Sequence, residues 1–293
     1  MEAIRIFAPR DTRPSGRFTA RRSGRPRVIR ELVLIVTVVL GYRQIRFLTR
    51  NDTDQALANA RRVVNFERDA HIFSEGGLQN LAMHSDSVVS FLNHYYVFVH
   101  FPLTALFIIW VLARHPGSYR AIRTWIIAVT LAGLAIHVAF PLAPPRMLSQ
   151  HGFVDTLRQY GPDIYSADTN DSIANQYAAM PSLHFGWAVI VAAGYIGIRR
   201  TRRSLFAIAH PVLTLLAIVA TANHYWIDAG IAFVLVAMAA AFVLRTSSLR
   251  RQPAQDGVLL ALAPTDRRTR SSGRPDTRLP VDEQCDVGEL IAG

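Results

Sequence analysis

The sequence predicts an all-α integral membrane protein: a bundle of six transmembrane helices with an outer amphipathic helix and disordered tails. Three observations carry this. Apolar residues make up 51% of the 293, and they gather in blocks close to the roughly 20 residues that cross a bilayer. Arginines cluster between these blocks in the alternation that the positive-inside rule requires. Both ends are rich in Arg, Pro, Gly, Ser and Asp and lack the apolar content of a core. The expected division is a disordered basic cytoplasmic tail over 1–28, the membrane domain over 29–246 and a second disordered cytoplasmic tail over 247–293.

The first span is expected over 29–48, with Glu31 and Arg43 near its ends. Segment 54–83 places Leu57, Ala60, Val64 and Ile72 at helical spacing opposite a charged face. It is too polar to span, and it reads as an amphipathic helix lying on the outer interface and breaking at Gly76 and Gly77. Its Glu67 and Glu75 are expected on the solvated side. Further spans follow over 88–113, 121–142, 183–199, 204–222 and 226–245. The connection 143–182 is long for a compact protein, which marks it as a lid or substrate wall.

With the N-terminus inside, four basic clusters fall on the cytoplasmic side. They are the N-terminal tail, then Arg114, Arg120 and Arg123, then Arg199, Arg200, Arg202 and Arg203, then Arg245, Arg250 and Arg251. Arg43, Arg46 and Arg50 run against this orientation. An inner (plasma) membrane protein with both termini cytoplasmic is the expected location.

The net charge is +11, and residues 1–30 hold nine arginines against Glu2 and Asp11. Without interleaved aromatics and beside a span, that run reads as an anchor on anionic lipid, and nucleic acid is not an expected partner. The lone Cys285 excludes an intramolecular disulfide. No small-residue cleavage site follows the first apolar run, so a cleaved signal peptide is not expected.

Three short pieces carry chemistry: PLAPPR (141–146), MPSLH (180–184) and ANHYWID (222–228). The topology sends all three to the outer face. His224 and Asp228 are four apart and share a helix face, so a carboxylate accepting the Nδ1 hydrogen would leave Nε2 as nucleophile or base. A histidine capping a turn beside an ordinary helix-start acid fits the pair alone equally well. Ser182 is a natural N-cap, and the helix start behind it offers free N–H groups to a phosphate. His184 then sits in the first turn, placed as a general acid. Arg146 follows two prolines and can clamp phosphate oxygens in a bidentate way, or snorkel to lipid head groups.

In this order and register the three motifs resemble the type 2 phosphatidic acid phosphatase superfamily, and within it the inositol phosphorylceramide synthase-like branch. The resemblance covers about 120–245. It implies that His224 attacks phosphorus to form a phosphohistidine, that Asp228 orients it and that His184 protonates the leaving group. It also implies that Arg146 and Ser182 bind phosphate, and that neither a metal nor another cofactor is needed. Two family cations are missing, at Ala139 and at Ile218. Fewer cations suit a singly charged phosphodiester better than a monoester, which favours head-group transfer. Arg61, Arg62 or Arg158 are the available replacements.

The expected partners are therefore a phospholipid or polyprenyl-phosphate substrate, membrane lipids and a polyol or alcohol acceptor. The alternatives are a lipid phosphate phosphatase and a non-catalytic lipid carrier. His94, His100, His137 and His210 read as hydrogen-bonded packing residues. Tyr95, Tyr96, Trp110, Trp125 and Trp226 read as an interfacial belt, Trp187 as a wall of the active-site mouth, and Gly194 and Gly197 as close helix contacts.

Overall fold

The computed structural model describes residues 53–162 and 177–249. The expected first span, Arg43, Arg46, Arg50, the N-terminal tail, residues 163–176 and Cys285 lie outside the described residues. The described chain is helical, and its only β pairing is an isolated bridge between Leu142 and Ala178. The helices are α1 Thr53–Asp69, α2 Glu75–Met83, α3 Asp86–Arg114, α4 Pro116–Ala139, α5 Thr156–Tyr160, α6 Leu183–Arg199, α7 Arg202–Ala220 and α8 Trp226–Leu249.

Four of them, α3, α4, α7 and α8, are long and apolar enough to cross a membrane. Helix α6 is equally apolar but has 17 residues, about 25 Å of helix. Its start is fixed by Ser182, whose Oγ accepts from the Phe185 amide at 3.4 Å. Its end is fixed by Arg200 in the left-handed region at φ 49°, which halts the helix and turns the chain towards α7. Pro116 opens α4 at a position where the missing N–H costs nothing. In α3 the chain passes through a π-helical turn at Tyr95–Val99, which rotates the following residues relative to those before it.

The central core joins α3, α4, α6 and α8 through Phe107, Ile122, Val129, Ile190 and Val236, all buried. Lipid tails are as apolar as these side chains, so close fit rather than water exclusion holds such helices together. Gly194 shows this, since a Cβ there would stand 2.8 Å from the Phe107 ring. Trp125 donates from Nε1 to the Val236 carbonyl at 2.8 Å. Trp125 and Tyr95 are both buried, which corrects their reading as interfacial belt residues.

The amphipathic segment also departs from expectation. It breaks between Asp69 and Glu75 rather than at Gly76 and Gly77, with His71 at φ 57° making the turn. Its apolar stripe, Ala56, Ala60, Val63 and Val64, is buried against protein, with Leu142, Ala143, Phe153, Ala179, Met180, Ala222 and Tyr225. Leu142, Ala143, Met180, Ala222 and Tyr225 come from the three motifs, so the apolar stripe of α1 forms the floor of their cluster. Glu67 and Glu75 are fully buried, not solvated.

Candidate active site

Backbone hydrogen bonds gather the three motifs. Leu142 donates to the Tyr177 carbonyl at 2.8 Å, Arg146 to Ala222 at 2.9 Å and Ser182 to Asp228 at 3.2 Å. The Tyr225 hydroxyl donates to Ala143 at 3.1 Å. PLAPPR, MPSLH and ANHYWID therefore meet at one end of the bundle, and His184, Ser182, His224, Asp228 and Arg146 lie in one neighbourhood.

His224 sits between α7 and α8, in a turn made possible by Ala222 at φ 53°, a conformation that strains a residue with a Cβ. The amides of Asn223 and His224 both return to the Ile218 carbonyl, at 2.9 and 3.1 Å. His224 Nδ1 is 2.8 Å from the Ala179 carbonyl and 3.3 Å from Asp228 Oδ2. The Ala179 carbonyl can only accept, so Nδ1 carries the hydrogen and Nε2 keeps a lone pair. Burial, and secondarily the Arg146 charge against the hydrogen bond to Ala179, lower the imidazole pKa to about 4. The ring is neutral at pH 7, and its contact with Asp228 is a hydrogen bond rather than an ion pair. Asp228 Oδ2 also accepts from the Tyr225 amide at 2.9 Å, which caps α8.

Arg146 is nearly buried, its side chain 11% exposed. Its Nη1 donates to Asn223 Oδ1, its Nε lies 3.9 Å from Asp155, and Asn223 is itself held by a bond from Nδ2 to Thr221 at 2.6 Å. A guanidinium has five N–H donors, so others remain for an anion. The ring of His184 is 6.4 Å from that of His224, centre to centre.

Residues 61–242, well over half of the chain, match the PAP2 superfamily. The chain belongs to the PAP2 superfamily. No curated protein and no solved structure matches it. Membership, together with the apolar helices, makes this an integral membrane protein and suggests a lipid phosphatase or phosphotransferase activity.

The surroundings of His184 in this PAP2-superfamily protein are aromatic. Tyr96 lies 4.5 Å away, and His100 and Phe101 each 5.0 Å away, between ring centres. Trp187 stands 6.4 Å from His100 and donates to Thr130 Oγ1 at 3.1 Å. Of the histidines expected to be hydrogen-bonded, His137 contacts the Pro181 carbonyl at 3.2 Å and His210 the Tyr95 hydroxyl at 2.6 Å. His100 departs from that expectation, because neither ring nitrogen has a partner. Arg61, Arg62 and Arg158 are exposed, and Arg62 contacts Asn59 on its own helix. Ala139 is exposed at the end of α4 and Ile218 is fully buried.

Four groups at the site were not anticipated. Asn223 had a signal in the sequence, as the neighbour of His224 in ANHYWID. The Ala179 carbonyl had none, and Glu67 and Glu75 lay in a segment read as amphipathic. Among the described residues no His, Cys, Asp or Glu group is arranged to hold a metal ion.

Proposed function

We propose that this protein transfers a lipid-linked phosphoryl group through a phosphohistidine on His224, with head-group transfer from a phosphodiester lipid as the favoured reaction. One observation carries the reading. His224 has its Nδ1 hydrogen held by Ala179 and Asp228, in a loop tied to Arg146, within 6.4 Å of a second histidine. That leaves a neutral, oriented Nε2 with a cation beside it, which is what a nucleophile at phosphorus needs.

In the first half-reaction the Nε2 lone pair forms the N–P bond and the bond from phosphorus to the departing alkoxide breaks. His184 gives that oxygen its proton. Arg146 and the free N–H groups at the start of α6, behind the Ser182 cap, hold the non-bridging oxygens. In the second half-reaction an acceptor alcohol loses its proton to His184 and attacks phosphorus, releasing His224. Water in place of the alcohol gives hydrolysis by the same residues. Asp228 and Ala179 keep the imidazole hydrogen on Nδ1 throughout.

The cation supply favours a diester. Ala139 and Ile218 stand where further cations would help a dianionic monoester, and Arg61, Arg62 and Arg158 are exposed, whereas Arg146 is nearly buried. The arginines at 114, 120, 123, 199, 200, 202 and 203 mark the opposite, cytoplasmic ends of the helices, so the site faces the extracytoplasmic side of the inner membrane.

The test uses purified, detergent-solubilised protein and His224→Ala, offered phosphatidic acid, a polyprenyl phosphate and phosphatidylinositol. A transferred head group that is lost in the variant supports the proposal. Free phosphate from a monoester, lost in the variant, makes the protein a phosphatase and overturns the diester argument. Equal behaviour of both proteins on every lipid removes His224 from the chemistry.

A further inference from the structure

The N-terminus of α8 is held by three carboxyl groups from three places in the chain. Asp228 Oδ2 accepts from the Tyr225 amide at 2.9 Å, Glu67 Oε1 from Ile227 at 2.9 Å and Glu75 Oε1 from Trp226 at 3.2 Å. Those are the amides that a helix start leaves without intrahelical acceptors. Glu67 comes from α1 and Glu75 from α2, more than 150 residues away, and both are fully buried. The indole of Trp226 donates to Ser74 Oγ at 3.0 Å, which ties the same turn to the residue just before α2.

A buried acid of this kind is expected to be paired or neutral. Glu67 Oε2 itself has no hydrogen-bond partner. Burial pushes Glu67 up to about 9. The ionisable groups facing Glu67 are Glu75 on α2, and Asp228 and Tyr225 at the start of α8.

We propose that Glu67 and Glu75 are positioning residues for His224: two buried carboxyl groups that clamp the first turn of α8 to the α1–α2 arm, and so fix the loop that presents the imidazole. The pair touches neither substrate nor the reacting atoms, and its catalytic consequence rests on the reading of His224 as nucleophile. Without these two acceptors the first turn of α8 is released from the arm and the loop loses its anchor.

Glu67→Gln separates this from a plain packing role. The amide oxygen still accepts from Ile227, whereas alanine offers no acceptor. The full-length protein, Glu67→Gln and Glu67→Ala are compared by phosphorus transfer at pH 7. Amide hydrogen exchange over residues 222–230 is measured at equal pD as a readout independent of chemistry. Glu67→Gln is expected to restore most of the activity and the amide protection that Glu67→Ala loses. Glu67→Ala is expected to lose roughly 10- to 100-fold, the worth of a buried amide left without its acceptor, and to exchange faster. An equal loss in Glu67→Gln and Glu67→Ala, or protected amides in Glu67→Ala, overturns the clamp. If no lipid phosphate is turned over by the wild type, the proposed function fails and the exchange data still decide the clamp.

Discussion

Asp228→Asn tests how the imidazole of His224 is held. Asp228 Oδ2 accepts from Tyr225 at 2.9 Å and contacts His224 Nδ1 at 3.3 Å, but the Ala179 carbonyl is closer to that nitrogen, at 2.8 Å. An asparagine oxygen can keep the bond to Tyr225. Its Nδ2 then occupies the place of Oδ1, which is buried and has no partner. The substitution removes the carboxyl group beside the ring, yet leaves Ala179 to hold the hydrogen on Nδ1. A buried N–H₂ is left without an acceptor, about 1–3 kcal/mol, which corresponds to roughly a 10- to 100-fold fall in kcat/KM where the strain reaches His224. Where a carboxylate alone fixes the tautomer, the same change costs about 10,000-fold. Initial rates of phosphorus transfer for wild type and variant, with circular dichroism and gel filtration as folding controls, give the answer. A loss near 10,000-fold in folded protein would refute the role given to Ala179. A loss under about threefold would show that Asp228 and His224 are not coupled.

Three further outcomes are expected. Protonation of His224 removes the attacking lone pair, so kcat/KM should fall as pH drops through about 4, and the limb should vanish in a single-turnover assay that starts from the phosphoenzyme. Because this pKa lies below the ordinary value of 6.5, the unfolded chain binds the proton first, and thermal stability should decline as pH falls from 6.5 towards 4. Arg146→Lys should lower kcat/KM by roughly 10- to 100-fold, since an ammonium cannot grip Asn223 and phosphate together, and Asn223→Ala should reproduce part of that loss by freeing the guanidinium; equal rates in all three proteins would remove Arg146 from phosphate binding. Gly194→Ala forces a Cβ to within 2.8 Å of the buried Phe107 ring and should cost about 1–3 kcal/mol of stability, read as a lowered Tm with kcat unchanged.

The span limits were legible because a bilayer imposes one length and one polarity, and these need no knowledge of neighbours. Helices α3, α4, α6, α7 and α8 fall close to the expected stretches. The spacing of His224 and Asp228 was legible for a similar reason, being local to one turn. The Ala179 carbonyl could not be found that way, because any residue has a carbonyl and only the fold brings that one to Nδ1. Trp125 read as interfacial because an indole has one polar atom; the partner that buries it is a backbone carbonyl at Val236, which has no sequence signature.

Glu67 and Glu75 show most clearly where local reading stops. On an isolated amphipathic helix an acid belongs on the wet face, and Val64 and Glu67, three apart, then seem to oppose each other in polarity. They lie on the same side of α1, and both are buried. What changes the preference is the end of another helix. The exposed N–H groups of Trp226 and Ile227 carry partial positive charge, and in a protein core they need acceptors as much as an acid needs donors. Each demand alone would exclude burial, and together they satisfy one another. The same exchange explains why the break in the arm falls at His71 and not at the glycines: α2 has to begin at Glu75 for that carboxylate to reach the Trp226 amide, so Gly76 and Gly77 are taken into its first turn. The amphipathic arm is therefore built around the start of α8, and the position of His224 depends on residues that no motif contains.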